Sequence, residues 1–431
     1  MTLKPVYLVE GRRSPQAKAG MDLKDVQAPF LINYLIRHIV DKTAIPNDVI
    51  DDVIIGCVGN PVKYPNIGRV IALEAGLHKK TPGATINRNC AAGMAAMAEA
   101  HIRIGSGRDN LIFAGGVESM SNMPLMFNKK MTNLFANLFK AKTPVQKLSV
   151  LAKFRPDFLV PIIAIQKALI DPFANVNMGM TAEILAREFG ITRKEQDEYA
   201  NYSHHKAAIA TKEGRFKDEI LPIIYGKNLD RILDKDIGPR GDSSVEGLAK
   251  MRPFFDKKAG TVTIGNACPV TDGGSCWLMA SEEAVKKYNL EPMARVVDWH
   301  FHGLEPERMG MGPLLAMDGV FKRSGMKVDD MDVFEINEAF AAQLLGVLRG
   351  MTDKKVADFF GVDTLWGEIP KENLNPNGGG IALGHPVGST GSRIVVTLAH
   401  ELKKRKAKYG MASLCVGGGQ GGAMIIENLC K

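Results

Sequence analysis

Three segments in the first third of the chain recur, in the same order and at similar spacing, in its last third. DDVIIGCVGN (51–60) aligns with MDVFEINEAF (331–340), NCAAGMAAMAEAHIRI (89–104) with GHPVGSTGSRIVVTLAH (384–400), and NLIFAGGVES (110–119) with MASLCVGGGQ (411–420). In each third a strand pattern is followed by a helical pattern and another strand pattern, which is typical of α/β layers. The repeat predicts a duplicated unit whose two similar halves pack together. The alternative is that strand–turn–helix segments resemble one another in any α/β protein.

The alignment makes particular residues equivalent. It places Cys90 on His385 and Ala114 on Cys415, and it pairs two sets of glycines, Gly93 with Gly388 and Gly116 with Gly417. If the halves pack about a two-fold axis, the helix N-termini that follow Cys90 and His385 meet. A histidine would then face a thiol.

A segment of different character separates the halves. From Ser121 to about Lys250 the chain is rich in Met, Lys and Phe and then becomes helical, with Thr192 and Glu195 spaced as a capping box. We therefore predict an N-terminal half over 1–120, completed by 251–295 after an inserted loop or lid domain (121–250). The C-terminal half is expected over 296–431.

Composition limits the class of function. The net charge of +8 suits an anionic ligand or lipid, and no nucleic-acid motif accompanies it. The six cysteines form no CxxC pair and no zinc-type spacing with histidine, which predicts free thiols in a reducing compartment and no metal site. We find no signal-peptide core and no apolar run long enough for a membrane span. We therefore expect a bacterial cytoplasmic location rather than the mitochondrial matrix.

Two segments place a thiol and a histidine at predicted helix N-termini. Unpaired N–H groups and the helix dipole favour a thiolate at Cys90 and can hold an oxyanion beside it. His385, in a glycine-dense turn, would be the base for this nucleophile. The alternatives are a small buried cysteine and a turn histidine bonded to the backbone.

Two further segments end predicted strands with chemically useful groups. Cys415 enters a turn with five glycines in six residues, where backbone N–H groups can face a ligand and the thiol could carry a proton. The alternative is a buried strand-end cysteine. Asn337 offers an amide that can hold a water or an oxyanion, and it would also fit as a helix N-cap.

Taken together, these motifs resemble the thiolases over nearly the whole chain. The matching motifs are NCAAGM with Cys90, NEAF with Asn337, GGGIALGHPVGSTGSR with His385, and CVGGGQG with Cys415. The segment KAKTPVQKLSVLAKFRPDFLVP (140–161) looks most like the β-subunits of fatty-acid oxidation trifunctional complexes and their bacterial counterparts. Those subunits tend to have HEAF, whereas NEAF is the form of general thiolases. The resemblance implies an α/β fold of five layers, αβαβα, built from two duplicated halves with an inserted, mainly helical loop domain.

The resemblance also implies an activity, that of a 3-ketoacyl-CoA thiolase (acetyl-CoA C-acyltransferase) acting on medium- or long-chain substrates in β-oxidation. Cys90 would carry the acyl group as a thioester, and His385 would accept the Cys90 proton. Asn337 would hold a water at the substrate carbonyl, and Cys415 would exchange the proton on the α-carbon. The backbone N–H groups of Cys90 and Gly417 would form an oxyanion hole.

CoA is expected as a co-substrate rather than as a tightly bound cofactor. The resemblance places Met178, Met309 and Phe340 along the pantetheine and acyl tunnel, Cys268 in the pantetheine loop, and Arg240 at the nucleotide. Core packing and a solvated surface charge are the alternatives. The chain departs from simpler thiolases at three positions, where it has Asn177 for histidine, Cys268 for serine and Gly247 for serine.

Other functions remain open at this point. A short-chain acetyl-CoA acetyltransferase that makes or cleaves acetoacetyl-CoA is the first alternative, and the apolar insert argues against it. A non-catalytic lipid-carrying or scaffold relative is the second, and such a relative is expected to lack one of the four catalytic side chains. A ketosynthase would have a histidine in place of Cys415.

Part of the insert is both basic and apolar. Residues 128–170 contain eight lysines and arginines against a single acid, Asp157, with leucine and phenylalanine between them. This pattern suits a peripheral contact with an anionic membrane, docking of a hydratase/dehydrogenase α-subunit, or a cover over the active-site mouth. By the same resemblance we expect a homodimer or homotetramer.

Overall fold

The strands of the N-terminal and C-terminal parts form one hydrogen-bonded sheet. The computed structural model describes residues 3–430. The strands outside the insert are β1 (Val6–Arg13), β2 (Ala17–Lys18), β3 (Asp52–Gly56), β4 (Ala84–Ile86), β5 (Leu111–Ser119), β10 (Thr271–Ser281), β11 (Ala294–Gly303), β12 (Val333–Ile336), β13 (Tyr409–Val416) and β14 (Gln420–Asn428). Their order is β12-β13-β14-β11-β1-β10-β5-β3-β4, with β2 paired to β10.

Helices cover both faces of this sheet and lie between its two parts. They are α1 (Phe30–Thr43), α2 (Ile67–Glu74), α3 (Ala92–Gly105), α10 (Glu282–Lys287), α11 (Gly312–Ser324), α12 (Ala341–Thr352), α13 (Lys354–Phe359), α14 (Gly380–Leu383) and α15 (Val387–Arg405). Among the described residues, no helix is both long and apolar enough to cross a membrane.

The two halves have the same strand topology. The order β1-β10-β5-β3 in the N-terminal half matches β11-β14-β13-β12 in the C-terminal half, with the same sequence of antiparallel, antiparallel and parallel pairings. β1 and β11 each contain a bulge, at Val9 and at Val297. Only two residue pairs, Tyr7–Arg295 and Leu8–Ala294, join the halves across the sheet. The predicted duplication is therefore present, element by element.

The residue equivalences predicted within the strands are wrong. When the two bulges are superposed, the ladders make Val117 equivalent to Cys415 and Leu414 equivalent to Gly116. The predicted pairs, Ala114 with Cys415 and Gly116 with Gly417, are therefore displaced by three residues. By the same ladders β12 is displaced by one residue from its predicted match with β3. The bulges change the register, and no sequence motif marks them.

Three apolar clusters define the five layers. One lies between the outer helices α1, α2 and α10 and the outer face of β3, β5 and β10. The second surrounds the central helices α3 and α15, between the inner faces of the two half-sheets. The third lies between α11 and α12 and the outer face of β12, β13 and β14. The order helix, sheet, helix, sheet, helix is the predicted αβαβα arrangement.

The two central helices approach each other through glycines. A Cβ built on Gly93 of α3 would lie 2.9 Å from Ser392 N and 3.1 Å from Gly388 O of α15, and one on Gly391 of α15 would lie 2.6 Å from Met94 N of α3. Backbone atoms at these distances leave no room for a side chain. Cys90 and His385 each lie two residues before their helix, as the repeat predicts. The close crossing therefore brings both N-termini to one place.

The segment between β5 and β10 is mainly helical. It contains α4 (Lys129–Lys140), α5 (Pro144–Leu151), α6 (Ala164–Ala168), α7 (Met178–Glu188), α8 (Arg193–Lys212) and α9 (Val245–Ala249). Two short antiparallel pairs accompany them, β6 (Leu125–Met126) with β7 (Ile162–Ile163), and β8 (Ile223–Tyr225) with β9 (Arg231–Leu233). The predicted capping box at Thr192 and Glu195 begins α8.

Candidate active site

A cavity of about 500 Å³ lies where the central helix N-termini, the β13–β14 turn and the insert meet. Eight of the site residues predicted from the sequence line this cavity: Cys90, His385, Cys415, Gly417, Cys268, Met178, Met309 and Phe340. Two predicted residues, Asn337 and Arg240, are not part of its lining. Most of the rest of its wall is apolar and comes from the insert.

Cys90 lies at the N-terminal end of α3, held by a strained residue. Asn89 adopts a left-handed conformation with φ of 45°, and its Nδ2 donates to Gly417 O at 2.8 Å. This bond ties the thiol segment to the β13–β14 turn. Hydrogen bonding from the backbone N–H groups of Gly417 and of Cys90 itself lowers the pKa of the Cys90 thiol. Groups from both halves of the molecule therefore favour the thiolate of the nucleophile.

The resting state of Cys90 depends on two opposing effects. Burial raises the pKa of the Cys90 thiol, and the N–H groups of Gly417 and Cys90 only partly offset this effect. The N–H groups therefore act in the predicted direction, towards the thiolate, although burial outweighs them in the free protein. A buried thiol needs a base to remove its proton before it can attack.

Two threonines hold His385, one bonded to its backbone and the other to its ring. Its backbone N–H donates to Thr271 Oγ1 at 3.1 Å, and its Nδ1 lies 2.6 Å from Thr390 Oγ1. Burial, with a smaller contribution from the positive Arg393, lowers the pKa of His385 to about 3. The ring is therefore neutral at physiological pH and able to accept a proton.

Cys415 and Cys268 place two further thiols on the same cavity. Cys415 is fully buried at the end of β13, and burial raises its pKa well above that of a free thiol, with the nearby Cys90 adding to the shift. Burial likewise raises the pKa of Cys268 to about 12. After Cys415 the chain turns through Gly418 and Gly419 at φ of 86° and 75°, conformations that favour glycine.

Asn337 is buried behind the cavity wall. Neither polar atom of its side chain has a hydrogen-bond partner within residues 3–430. A buried amide in this condition requires a polar ligand or water. The N-cap of α12 is Phe340, so the alternative role of Asn337 as that cap is wrong.

The neighbouring Glu338 anchors the Asn337 loop. Its carboxylate accepts hydrogen bonds from Tyr199 (2.7 Å) and Ser203 (2.6 Å) of α8 and from Asn375 (2.8 Å). The insert is thereby bonded to the loop that carries Asn337.

Arg240, the other predicted residue outside the cavity, is exposed on the insert.

The sequence prediction did not include several residues that shape this site. Asn89 and Thr390 were not identified, nor were the apolar insert residues Met123, Ile165 and Leu169 that line the cavity. The NRNC segment contains a signal for Asn89, since asparagine tolerates the left-handed region better than most residues. The other residues sit in helical or strand patterns that do not distinguish them from core positions.

The arrangement can perform nucleophilic acyl transfer. It combines a thiol, a neutral imidazole, a second thiol and the backbone of Gly417 in a largely apolar cavity. A thiol activated by a base can take an acyl group, and backbone N–H donors can stabilise an oxyanion beside it. Among residues 3–430, no cluster of three or more His, Cys, Asp or Glu side chains could hold a metal ion.

Comparison with known proteins points to the same chemistry. The family models described as "Thiolase, N-terminal domain" and "Thiolase, C-terminal domain" match residues 6–283 and 290–428. The mitochondrial trifunctional enzyme subunit beta of Bos taurus is 36% identical over 99% of this chain and 88% of its own length. A probable acetyl-CoA acyltransferase of Staphylococcus aureus (strain N315) is 37% identical over 98% of both chains. The structure of human mitochondrial 3-ketoacyl-CoA thiolase in complex with CoA superposes with a TM-score of 0.85 at 34% identity, over 99% of both chains.

Proposed function

The chain belongs to the thiolase family and is an acyltransferase, and on that basis we propose that it cleaves medium- and long-chain 3-ketoacyl-CoA with CoA in fatty-acid β-oxidation. The observation that carries the proposal is the convergence of Cys90, His385 and Cys415 on one apolar cavity. The similarity to a trifunctional enzyme subunit beta supports the pathway.

The first half-reaction transfers the acyl group to the enzyme. His385 takes the proton from Cys90, and the thiolate attacks the 3-keto carbon of the substrate. The N–H groups of Cys90 and Gly417 stabilise the oxyanion next to the sulfur. Acetyl-CoA leaves as its enolate, and Cys415 protonates the α-carbon. The high pKa of Cys415 suits it to hold that proton.

The second half-reaction passes the acyl group to CoA. The imidazolium of His385 first gives its proton to the Cys415 thiolate, which makes the ring neutral again. The incoming CoA thiol then loses its proton to His385 and attacks the thioester, and Cys90 leaves as a thiolate that takes up this proton. Asn337 acts in the first half-reaction. It holds a water, and this water and His385 together polarise the thioester carbonyl of the departing acetyl-CoA. The two unpartnered polar atoms of its buried amide support this role.

CoA binding is assigned by position in the cavity. Met178, Met309 and Phe340 line it beside Cys90 and can contact the pantetheine arm, and Cys268 lies in the same wall. Arg240 is exposed and free to meet the nucleotide phosphates outside. The human relative solved in complex with CoA supports CoA as the co-substrate. No tightly bound cofactor is part of the proposal.

The preference for longer acyl chains rests on the insert. Met123, Ile165 and Leu169 add apolar wall to the cavity, and Phe173 is 88% exposed at its edge. An acyl tail buries apolar area against such a wall, at roughly 0.8 kcal/mol per methylene. A short-chain acetyl-CoA acetyltransferase is the second candidate, and its short acyl group would not need that wall. A non-catalytic lipid-carrying or scaffold role is disfavoured because all four catalytic side chains are present.

The insert also suggests partners. Phe139, Val145 and Leu148 on α4 and α5 are 98%, 78% and 70% exposed, among lysines. We extend the proposal to a peripheral contact with an anionic membrane and, on the family resemblance, to docking of a hydratase/dehydrogenase α-subunit. The bovine relative is itself named as a subunit, the subunit beta of a trifunctional enzyme. A homodimer or homotetramer is proposed on the family resemblance.

Thiolysis of 3-ketoacyl-CoA from C4 to C16 tests the function. We expect kcat/KM to rise with chain length and Cys90→Ala to remove activity by about 10⁴-fold or more, because the covalent intermediate cannot form. Activity confined to C4 would favour the short-chain candidate. Activity that survives Cys90→Ala, or none at any length, would contradict the mechanism.

A further inference from the structure

A buried hydroxyl lies against the ring of His385. Thr390 Oγ1 is 2.6 Å from His385 Nδ1 and 3.0 Å from Pro386 O, in the first turn of α15. Thr390 is fully buried, and His385 is 6% exposed. Within residues 3–430, no other group bonds to the His385 ring. Thr390 is therefore its one hydrogen-bond partner there.

The hydroxyl of Thr390 has one hydrogen and two acceptors within reach, Nδ1 of His385 and Pro386 O. A carbonyl oxygen can only accept, so the bond to Pro386 O, which also accepts the N–H groups of Ser389 and Thr390 at 2.9 Å, uses that single hydrogen when it forms. Helical threonines commonly make this bond to the carbonyl four residues earlier. Oγ1 is then an acceptor towards the ring, and Nδ1 must donate. The neutral imidazole consequently carries its hydrogen on Nδ1.

The other ring nitrogen faces the reaction. His385 lines the cavity together with Cys90, and Nδ1 is occupied on the helix side. Nε2 is therefore the nitrogen available to the cavity, with a lone pair. Only that form can take a proton from the Cys90 thiol, since an Nε2–H ring would present a hydrogen instead.

We propose that Thr390 is a positioning residue that fixes His385 in the Nδ1-protonated tautomer and so presents Nε2 as the base for Cys90. The inference rests on the role of His385 in the proposed function. When the Cys90 proton moves to Nε2, the S–H bond breaks, the thiolate keeps the electron pair and the ring becomes an imidazolium. Thr390 Oγ1 then accepts a charge-assisted bond from Nδ1–H, which is stronger than the neutral one. The hydroxyl thus supports the ring before and after proton transfer.

Substitution of the hydroxyl tests this role. Thr390→Val keeps the shape and removes the oxygen, whereas Thr390→Ser keeps the oxygen. The control is Thr211→Val, because Thr211 Oγ1 makes the same bond to the carbonyl four residues earlier, Ala207 O at 2.7 Å, with no histidine involved. Folding of each variant is checked by its melting temperature.

Two readouts separate positioning from packing. We expect Thr390→Val to lower kcat by on the order of 10- to 100-fold with KM nearly unchanged, the usual size of an effect transmitted through a supporting hydrogen bond. Alkylation of Cys90 by iodoacetamide at neutral pH, followed peptide by peptide, should slow in parallel, while that of the distant Cys430 should not. Thr390→Ser should restore both rates, and Thr211→Val should change neither.

Several results would overturn the proposal. Wild-type rates in Thr390→Val would do so, as would equal losses in the valine and serine variants, which would indicate packing alone. A ¹⁵N spectrum of histidine-labelled wild-type protein that shows His385 protonated on Nε2 would also overturn the proposal. This measurement needs only the wild type, so it decides the tautomer even if Thr390→Val fails to fold. If the wild type cleaves no 3-ketoacyl-CoA, the proposed function fails, whereas the alkylation rates and the spectrum still decide the role of Thr390.

Discussion

Cys90 and Cys415 share a cavity but meet different groups in it. Cys90 is partly exposed, and the backbone N–H groups of Gly417 and Cys90 lower the pKa of its thiol, whereas Cys415 is fully buried at a strand end. The residue types and their motifs could be predicted from sequence. The resting protonation of Cys90 could not, because it depends on how much burial opposes the N–H groups, and burial is a property of the assembled halves.

A buried histidine away from the site makes stability depend on pH. His101 on α3 is buried and accepts a hydrogen bond from Trp299 Nε1 of β11 at 3.2 Å, and burial lowers its pKa to about 4. Below about pH 6.5 the unfolded chain binds a proton at this residue that the folded protein does not. The stability from neutral His101 is therefore complete above pH 6.5 and is lost as pH falls towards 4, by about 2 kcal/mol at pH 5.

The variant His101→Gln keeps an acceptor for Trp299 but cannot titrate. We expect its melting temperature to fall less than that of the wild type between pH 7 and pH 5. The matched control is His78→Gln, at an exposed histidine, which should behave like the wild type. Equal decreases for His101→Gln and the wild type would contradict the assignment.

At the scale of elements, apolar patterns predict which segments are strands and helices but not their register. The three repeated segment pairs do fall on β3 and β12, α3 and α15, and β5 and β13. The helix pair is matched residue for residue because a distinctive residue, Cys90 or His385, precedes each helix. The strands consist of interchangeable small and apolar residues, and the bulges at Val9 and Val297 leave no mark in them.

The packing of α15 against β5 and against the end of β3 predicts the effect of one added methyl group. Gly388→Ala would place a Cβ 2.6 Å from Val117 O and 3.0 Å from Cys57 Cα, and neither is the end of a flexible side chain. We expect a loss of about 3 kcal/mol in the free energy of unfolding, and a large loss of kcat because α15 also positions His385.

The control for this substitution is another helical glycine. A Cβ at Gly346 in α12 would meet first the flexible Met311 Sδ, at 3.2 Å. Gly346→Ala should therefore be neutral or stabilising by up to about 1 kcal/mol, the helix preference of alanine over glycine. Thermal unfolding of both variants gives the comparison, and similar behaviour of the two would argue against a tight contact between α15 and β5.

At the scale of the molecule, the duplicated halves were predictable because they repeat three segments in the same order, and the insert because its composition differs from theirs. The way in which the insert meets the site was not. Its contacts with the site, such as Met123, Ile165 and Leu169 in the cavity wall and the bonds of Tyr199 and Ser203 to Glu338, join residues far apart in sequence. Single-sequence patterns do not report such pairings.

The exposed face of the insert predicts membrane binding. We expect the protein to sediment with vesicles that contain anionic lipid and not with neutral ones, and Phe139→Ser to weaken binding several-fold because this ring is 98% exposed. Ile232→Ser, at a residue 68% exposed on β9, is the control and should bind like the wild type. Unchanged binding in Phe139→Ser would point away from α4 as the contact.

The division of the site between the two halves has a consequence for the protein as it is made. Cys90 leaves the ribosome well before His385, Cys415 and the Gly417 N–H, by roughly 15 to 60 seconds at usual rates of synthesis. Until β13 and β14 add to the sheet, the nascent chain carries the nucleophile without its base or its oxyanion donors. Acyl-CoA in the same compartment therefore encounters a Cys90 thiol that cannot yet catalyse acyl transfer, and the thioester forms only when the chain has folded.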